Sequence, residues 1–245
     1  DSVEYFERTI NTFKDFYDFE PEVVICDKHP NYESTKFALK LKENNPNLKL
    51  VQIQHHYAHI LSVMAENSLD KEVLGFAFDG TGYGDDGNIW GGEVFIASRK
   101  EYKRVNHIKY FRLLGGEMAV KEPKRVALSL LFDNFSLEEI LVLPNPVVNA
   151  FKPSEIKMLH TMWQKGLNAP LTSSVGRLFD AISSFANILH TQTYEGETGL
   201  QIEQEYSKCI NDIYSYNITN EEIELNYMIK EIVLENDKKV ICSKF

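Results

Sequence analysis

Apolar residues at Val3, Phe6, Ile10, Phe13 and Phe16 recur at helical spacing, which predicts a helix over Val3 to Tyr17. Pro21 then introduces the short apolar run Val23-Val24-Ile25-Cys26, a buried strand by its length and β-branching. A loop, Asp27 to Asn31, precedes a helix from about Tyr32 to Glu43, and a turn at Asn44 to Asn47 precedes a second strand, Leu48 to Ile53. A further helix follows from about His55 to Asn67. Strand, helix, strand, helix at these lengths predicts a parallel α/β sheet.

From Glu72 the period changes. Val73 to Phe78, Ile89 to Ser98 and Lys103 to Tyr110 read as consecutive strands, joined by a glycine-rich loop and by Arg99-Lys100-Glu101, which predicts an antiparallel meander. After Gly115-Gly116 the pattern turns helical, with Pro123 suited to a first turn before Arg125 to Phe132. Helices are expected over Pro153 to Lys165, Ser174 to Leu189, Thr198 to Ile213 and, amphipathic and acidic, Glu221 to Glu235. Two units follow: 1–68, α/β, and 69–245, a meander over 72–112 and mostly helix over 118–235.

Composition alters this picture little. The 245 residues are 43% hydrophobic and 25% charged, a balance that folds around a sizeable core. A net charge of −10 argues against an extended nucleic-acid surface, which needs clustered Lys and Arg. Cys26, Cys209 and Cys242 lie far apart with no Cys-x-x-Cys pair, so neither a disulfide framework nor a thiolate metal site is indicated, and a reducing cytoplasm is the expected compartment.

The chemistry concentrates between Val51 and Glu93. His55 and His59 stand four apart on an expected helix, so both rings share one face and can share a cation. Asp79 follows twenty residues later, at the end of a strand and ahead of Gly80-Thr81-Gly82-Tyr83-Gly84. A carboxylate at the mouth of a glycine loop is able to hold a cation while backbone N–H groups meet phosphate oxygens. His56 faces another direction and is expected to support the ligands or touch substrate. Gly82 to Gly87 also fits the dinucleotide pattern Gly-x-Gly-x-x-Gly, but that fingerprint must open a helix, and Asn88 to Ile96 reads as a strand. Gly91-Gly92 within that strand suggests close approach by a ligand or by another backbone. Later, Ser173 to Asp180 and Tyr194 to Glu203 each open a helix. Asp180 and Glu203 are candidates to reach a ribose, and Gly199 to leave room for an adenine.

Six segments together resemble one family. They are Asp27 to Thr35, Gln54 to His59, Phe78 to Gly84 with Ile89 to Glu93, Glu122 to Leu128, Ser173 to Ala181, and Tyr194 to Gly196. In this order they are similar to HypF, the carbamoyltransferase of nickel-iron hydrogenase maturation, in the C-terminal domain related to tRNA threonylcarbamoyl transferases. The resemblance implies an actin, sugar-kinase and Hsp70-like α/β fold of duplicated lobes, with residues 1–68 ending the first lobe and 69–245 starting the second. It implies Fe(II) or Zn(II) at His55, His59 and Asp79. Gly80, Thr81, Gly82, Gly91, Gly92, Asp180, Gly199 and Glu203 would meet nucleotide or phosphate, and His56 and Arg125 are possible substrate contacts.

The implied reaction passes a carbamoyl group from carbamoyl adenylate, made in a neighbouring domain from carbamoyl phosphate and ATP with Mg(II), to the C-terminal cysteine of a HypE-type partner. None of the three cysteines is then the nucleophile. Tyr57, Lys124 and Thr198-Gly199 depart from the family's usual histidine, tryptophan and small residues. The first strands of lobe one and a later glycine-rich segment with a further Asp ligand are expected outside residues 1–245, so the chain is expected to be a fragment that does not transfer alone. Alternatives are a tRNA threonylcarbamoyl transferase relative and a non-catalytic interaction module.

Overall fold

The computed structural model describes residues 2–245. Helix α1 (Ser2–Tyr17) leads into strand β1 (Val23–Asp27), helix α2 (Glu33–Asn44), strand β2 (Lys49–Ile53) and helix α3 (His55–Glu66). β1 and β2 pair in parallel, from Val23 opposite Lys49 to Asp27 opposite Ile53. That register sets the last residue of β1 beside the point where β2 passes into α3. α2 buries Thr35 and Ala38, and the Thr35 hydroxyl donates to the Asp27 carbonyl at 3.1 Å.

Strands β3 (Val73–Tyr83), β4 (Ile89–Ala97) and β5 (Tyr102–Ile108) form the antiparallel meander. β3 does not stop at Phe78, as the hydrophobic run suggests. Its ladder with β4 breaks after Phe78 opposite Gly92 and resumes at Gly82 opposite Trp90. Asp79, Gly80 and Thr81 therefore oppose Gly91 alone, and such a bulge turns side chains away from the regular pleat. The turn itself lies further on, where the Gly84 N–H donates to Asn88 O at 2.9 Å and Gly87 takes φ +81°.

The chain continues through β6 (Phe111–Arg112), α4 (Glu117–Lys121), α5 (Pro123–Asn134), α6 (Leu137–Val142), α7 (Pro146–Asn149), α8 (Pro153–Lys165), β7 (Leu171–Thr172) and α9 (Val175–Phe185). It ends with α10 (Glu197–Glu205), β8 (Asn217–Thr219), β9 (Glu222–Glu224), α11 (Asn226–Leu234) and α12 (Lys238–Lys244). β7 joins β4 in parallel at Thr172 and Ile89, and β9 joins β5 in parallel at Glu222 and His107. The result is a mixed seven-stranded sheet beside the parallel pair.

Three expected helices are shorter than their apolar periodicity suggests, the first being α9, which ends at Phe185 rather than Leu189. The stretch expected as helix from Glu221 begins as a β-hairpin, because Asn220 and Glu221 turn at positive φ and Ile223 comes opposite Ile108 on β5. The helix expected to reach Ile213 stops at Glu205, where Tyr206 turns extended and the Ser207 N–H donates to Ser243 on α12 at 2.9 Å.

The larger core lies around α5 and α9. Val126 to Phe132 are all buried, as are Leu178, Ile182 and Phe185, the all-round burial of a central helix. A smaller core packs Tyr57, Ile60 and Met64 of α3 against Ala77, Trp90 and Phe95. Gly75 permits this contact, since a Cβ there would lie 2.6 Å from the Ile60 side chain. This packing lays the start of α3 against the bulge in β3.

Candidate functional site

α3 begins directly after β2, with Gln54 as its N-cap: the side-chain oxygen accepts the Tyr57 N–H at 2.8 Å. His55 and His59 lie one turn apart, and their Nε2 atoms are 3.2 Å apart. The bulge delivers Asp79 to the same place, its Oδ2 3.0 Å from His55 Nε2 and 3.8 Å from His59 Nε2. Donor atoms around a tetrahedral ion at 2.0–2.1 Å are separated by about 3.3 Å, so the three atoms are spaced as ligands of one ion. Asp79 Oδ1 accepts the Gly80 N–H at 2.6 Å, and this fixes the carboxylate. His55 Nδ1 faces Asp27 Oδ2 at 2.9 Å, while Asp27 Oδ1 accepts the His29 N–H at 2.7 Å. A carboxylate on Nδ1 orients the ring and frees Nε2 for a metal. Two imidazoles and a carboxylate suit iron(II) or zinc(II), and three protein ligands leave room for a further one.

The electrostatics follow from this geometry. Without a cation, the hydrogen bond to Asp79 holds the His55 proton, assisted by Asp27 and opposed by burial, and raises its pKa to about 9. The same bond lowers Asp79 to about 2. His56 is fully buried, and desolvation pushes it down to about 4, which keeps it neutral. Its Nδ1 faces the Gln54 amide nitrogen at 3.2 Å, and its Nε2 lies 3.8 Å from Asp79 Oδ2 with no hydrogen-bond partner among the described residues.

A second cleft, of about 270 Å³, lies on the far side of the bulge, lined by Gly80, Gly176, Arg177, Phe179, Asp180, Glu195, Gly196, Thr198 and Gly199. Ser174 caps α9 by accepting the Arg177 N–H at 3.1 Å, and its hydroxyl faces the carbonyls of Asp79 and Gly80 at 3.0 and 2.7 Å. Gly176 permits this approach: a Cβ there would lie 2.8 Å from the Gly80 Cα. Asp180 is buried, pairs with Arg177 at 2.8 Å and accepts the Thr198 hydroxyl at 2.7 Å. Burial pushes its pKa up to about 6, against the pull of Arg177. Gly199 also lines an adjoining apolar groove of about 620 Å³, and Glu203 lies in that groove.

The structure thus brings His55, His59 and Asp79 together, and Gly80, Asp180 and Gly199 together, with Glu203 alongside. It corrects other assignments. Gly91 and Gly92 are buried against backbone, Gly91 under the Asp79 carbonyl and Gly92 under that of Ser173, so the close approach at these glycines is made by backbone. Gly82 lies back in the ladder and makes space for the His55 and His56 rings rather than for phosphate. The Gly80 N–H is taken by the Asp79 carboxylate, so it is not free for a phosphate oxygen, and the Thr81 hydroxyl donates to the Gly80 carbonyl. Arg125 is paired with Glu122 and packs near Gly115, and it lines neither the metal group nor the cleft. The sequence motifs assign Asp27 no role of its own; its place at the carboxyl end of a parallel strand is the signal that could have given one.

No helix among the described residues is long and apolar enough to cross a membrane. Two family models match the chain: "HypF Kae1-like domain" over residues 1–66 and "Carbamoyltransferase, Kae1-like Domain, second subdomain" over residues 75–245. Among curated proteins, the chain is 37% identical to carbamoyltransferase HypF of Synechocystis sp., over 98% of this chain and 33% of the relative. It is 34% identical to a probable carbamoyltransferase HypF of Methanocaldococcus jannaschii, over 91% of this chain and 29% of the relative. The chain spans about a third of the length of these relatives. The crystal structure of full-length HypF in the phosphate- and nucleotide-bound form aligns with a TM-score of 0.85 at 31% identity, over 99% of this chain and 32% of that one. T. kodakarensis HypF aligns with a TM-score of 0.82 at 33% identity, over 98% and 33%. The α/β fold is accordingly of the actin, sugar-kinase and Hsp70-like type. By these matches and by its fold, the chain belongs to the HypF carbamoyltransferase family, within the Kae1-like domain.

Proposed function

We propose that this chain carries the carbamoyl-transfer site, which receives carbamoyl adenylate made from carbamoyl phosphate and ATP with Mg(II) and passes the carbamoyl group to the C-terminal cysteine of a HypE-type partner. The observation that carries this reading is the shared wall between metal group and cleft: Asp79 faces His55 and His59, and Gly80, the next residue, lines the cleft with Asp180. A nucleoside monophosphate bound in that cleft would have its phosphate against the wall shared with His55, His59 and Asp79.

His55, His59 and Asp79 would hold iron(II) or zinc(II), which when bound stabilises negative charge on phosphoryl oxygens. Asp27 orients His55, and Asp180, Gly199 and Glu203 would meet the nucleoside. The step forms a bond from the partner's cysteine sulfur to the carbamoyl carbon and breaks the bond from that carbon to the phosphate oxygen. AMP leaves with the electron pair, and the thiol proton is released. Burial raises Cys26 and pushes Cys242 to about 11, so neither supplies a thiolate near neutrality. Cys209 is exposed but lines neither the His55–His59–Asp79 group nor the cleft, which agrees with a nucleophile from the partner. A net charge of −10 disfavours a tRNA substrate, and the free cysteines suit a reducing cytoplasm.

The test exchanges this chain for the matching third of the Synechocystis relative and follows carbamoylation of the partner's cysteine by intact-protein mass. Transfer is expected in the chimera and is lost on Asp79→Asn, while the chain alone gives no turnover. Metal analysis should find near-stoichiometric iron or zinc in the chimera and little in His59→Ala. Unimpaired transfer by a metal-free His59→Ala chimera would overturn the reading and favour a domain that only docks a partner.

A further inference from the structure

We propose that Gln54 is a positioning residue: its side-chain amide holds His56 as the tautomer protonated on Nε2 and aims that N–H at the space beside Asp79. The inference deepens the transfer-site reading and rests on it for the role of the N–H, though not for the tautomer.

The argument begins with the amide's own orientation. Gln54 is fully buried, and it touches backbone groups of opposite polarity. The Tyr57 N–H lies 2.8 Å from Oε1, and the Tyr83 carbonyl lies 3.1 Å from Nε2. An N–H must meet oxygen and a carbonyl must meet nitrogen, so the backbone dictates which end of the amide is which. One amide proton then goes to Tyr83, and the other faces His56 Nδ1 at 3.2 Å. Nδ1 is therefore an acceptor, and a neutral imidazole that accepts on Nδ1 carries its proton on Nε2.

That proton has no acceptor among the described residues. Nε2 is buried, makes no hydrogen bond, and is 3.8 Å from Asp79 Oδ2. A buried donor without a partner is costly and uncommon in folded proteins. Here it lies next to the carboxylate oxygen that groups with His55 and His59, so an oxygen atom of a phosphoryl or carbamoyl group entering the site is its natural acceptor. Gly82 and Trp90 keep the ring in place: a Cβ at Gly82 would collide with His56, and the Trp90 ring centroid lies 6.3 Å from that of His56. Gln54 thus connects the start of α3, the end of β3 and the ring through one amide.

The experiment reads the tautomer directly, by long-range ¹H–¹⁵N correlation on the chain with ¹⁵N-labelled histidine. Wild type should show His56 protonated on Nε2; protonation on Nδ1, or on both nitrogens, would overturn the inference while leaving the transfer-site reading standing. Gln54→Glu, whose carboxylate accepts a proton from Nδ1–H, should move the proton to Nδ1 or charge the ring. Gln54→Leu, which removes the amide without adding charge, should give a mixture of tautomers. An unchanged Nε2–H in either variant would show that Gln54 does not set it. In the chimera, Gln54→Leu should lower kcat by roughly tenfold or more, as expected for a misplaced oxyanion donor, with KM for the HypE-type partner unchanged. Unaltered kcat beside an altered tautomer would remove the N–H from the reaction.

Discussion

The hydroxyl of Ser174 lies 3.0 Å from the backbone carbonyl of Asp79, so the helix that carries Asp180 is fastened to the strand that carries the carboxylate grouped with His55 and His59. The same oxygen caps α9 by accepting the Arg177 N–H. Ser174→Ala loses cap and clasp together. It should cost about 1–2 kcal/mol, the upper range for an N-cap, read as a fall in the denaturant midpoint at constant slope.

Asp27 governs His55 from 28 residues away. Asp27→Asn should weaken metal binding by about 10- to 100-fold, the usual penalty for losing a carboxylate behind a histidine ligand. Isothermal titration with zinc would measure it.

The His55 pair also sets a pH dependence. In the metal-free chain His55 is raised from 6.5 to about 9, so its stabilisation is complete below about pH 6.5 and disappears as pH rises through about 9. Asp79, lowered from 3.8 to about 2, acts oppositely: its contribution is present above about pH 3.8 and is lost as pH falls through about 2. A metal must displace the His55 proton, so zinc affinity should climb with pH and level off near 9. A flat affinity between pH 6 and 9, or a His55 NMR titration near its ordinary value, would contradict this account.

At Gly82 a Cβ would lie 2.9 Å from His55 Cδ2 and closer still to His56. Gly82→Ala should displace both rings and reduce metal affinity by at least about tenfold while the thermal transition of the metal-free chain stays cooperative. A crystal structure of the variant would show which ring moved.

Glu93 is fully buried and gathers the N–H groups of Gly91 and Gly92, the Ser173 hydroxyl and, at 2.5 Å, Arg104 Nε. Glu93→Ala leaves Arg104 with only the more distant carboxylate of Asp86, at 3.6 Å, and should destabilise the chain by about 3 kcal/mol, the lower end for breaking a buried ion pair. Urea unfolding would register it.

Much of this was legible in the residues because it depends on local period. Two histidines four apart on a helix share a face wherever that helix packs, and the change from helical spacing to alternation marked the meander. Asp79 was readable because a carboxylate at the end of an apolar strand has few other uses. The rest depends on register. Nothing local links Asp27 to His55; the pairing of β1 with β2 does. Gly91 and Gly92 announced a close approach without saying to what, and only the position of Ser173 and Ser174 decides it. Arg125 looked available until Glu122, three residues earlier, took its charge. Residues 222–224 carried an amphipathic helical pattern and became a strand because β5 offered Ile223 a buried edge.

Asp79 and Gly80 share one peptide bond, and they face different compartments. A shift of that peptide toward an ion is at once a shift of the wall against which a nucleotide would lie. Any coupling carried by that peptide would be reciprocal: whatever factor one occupant imposed on the affinity of the other would be returned unchanged in the opposite direction.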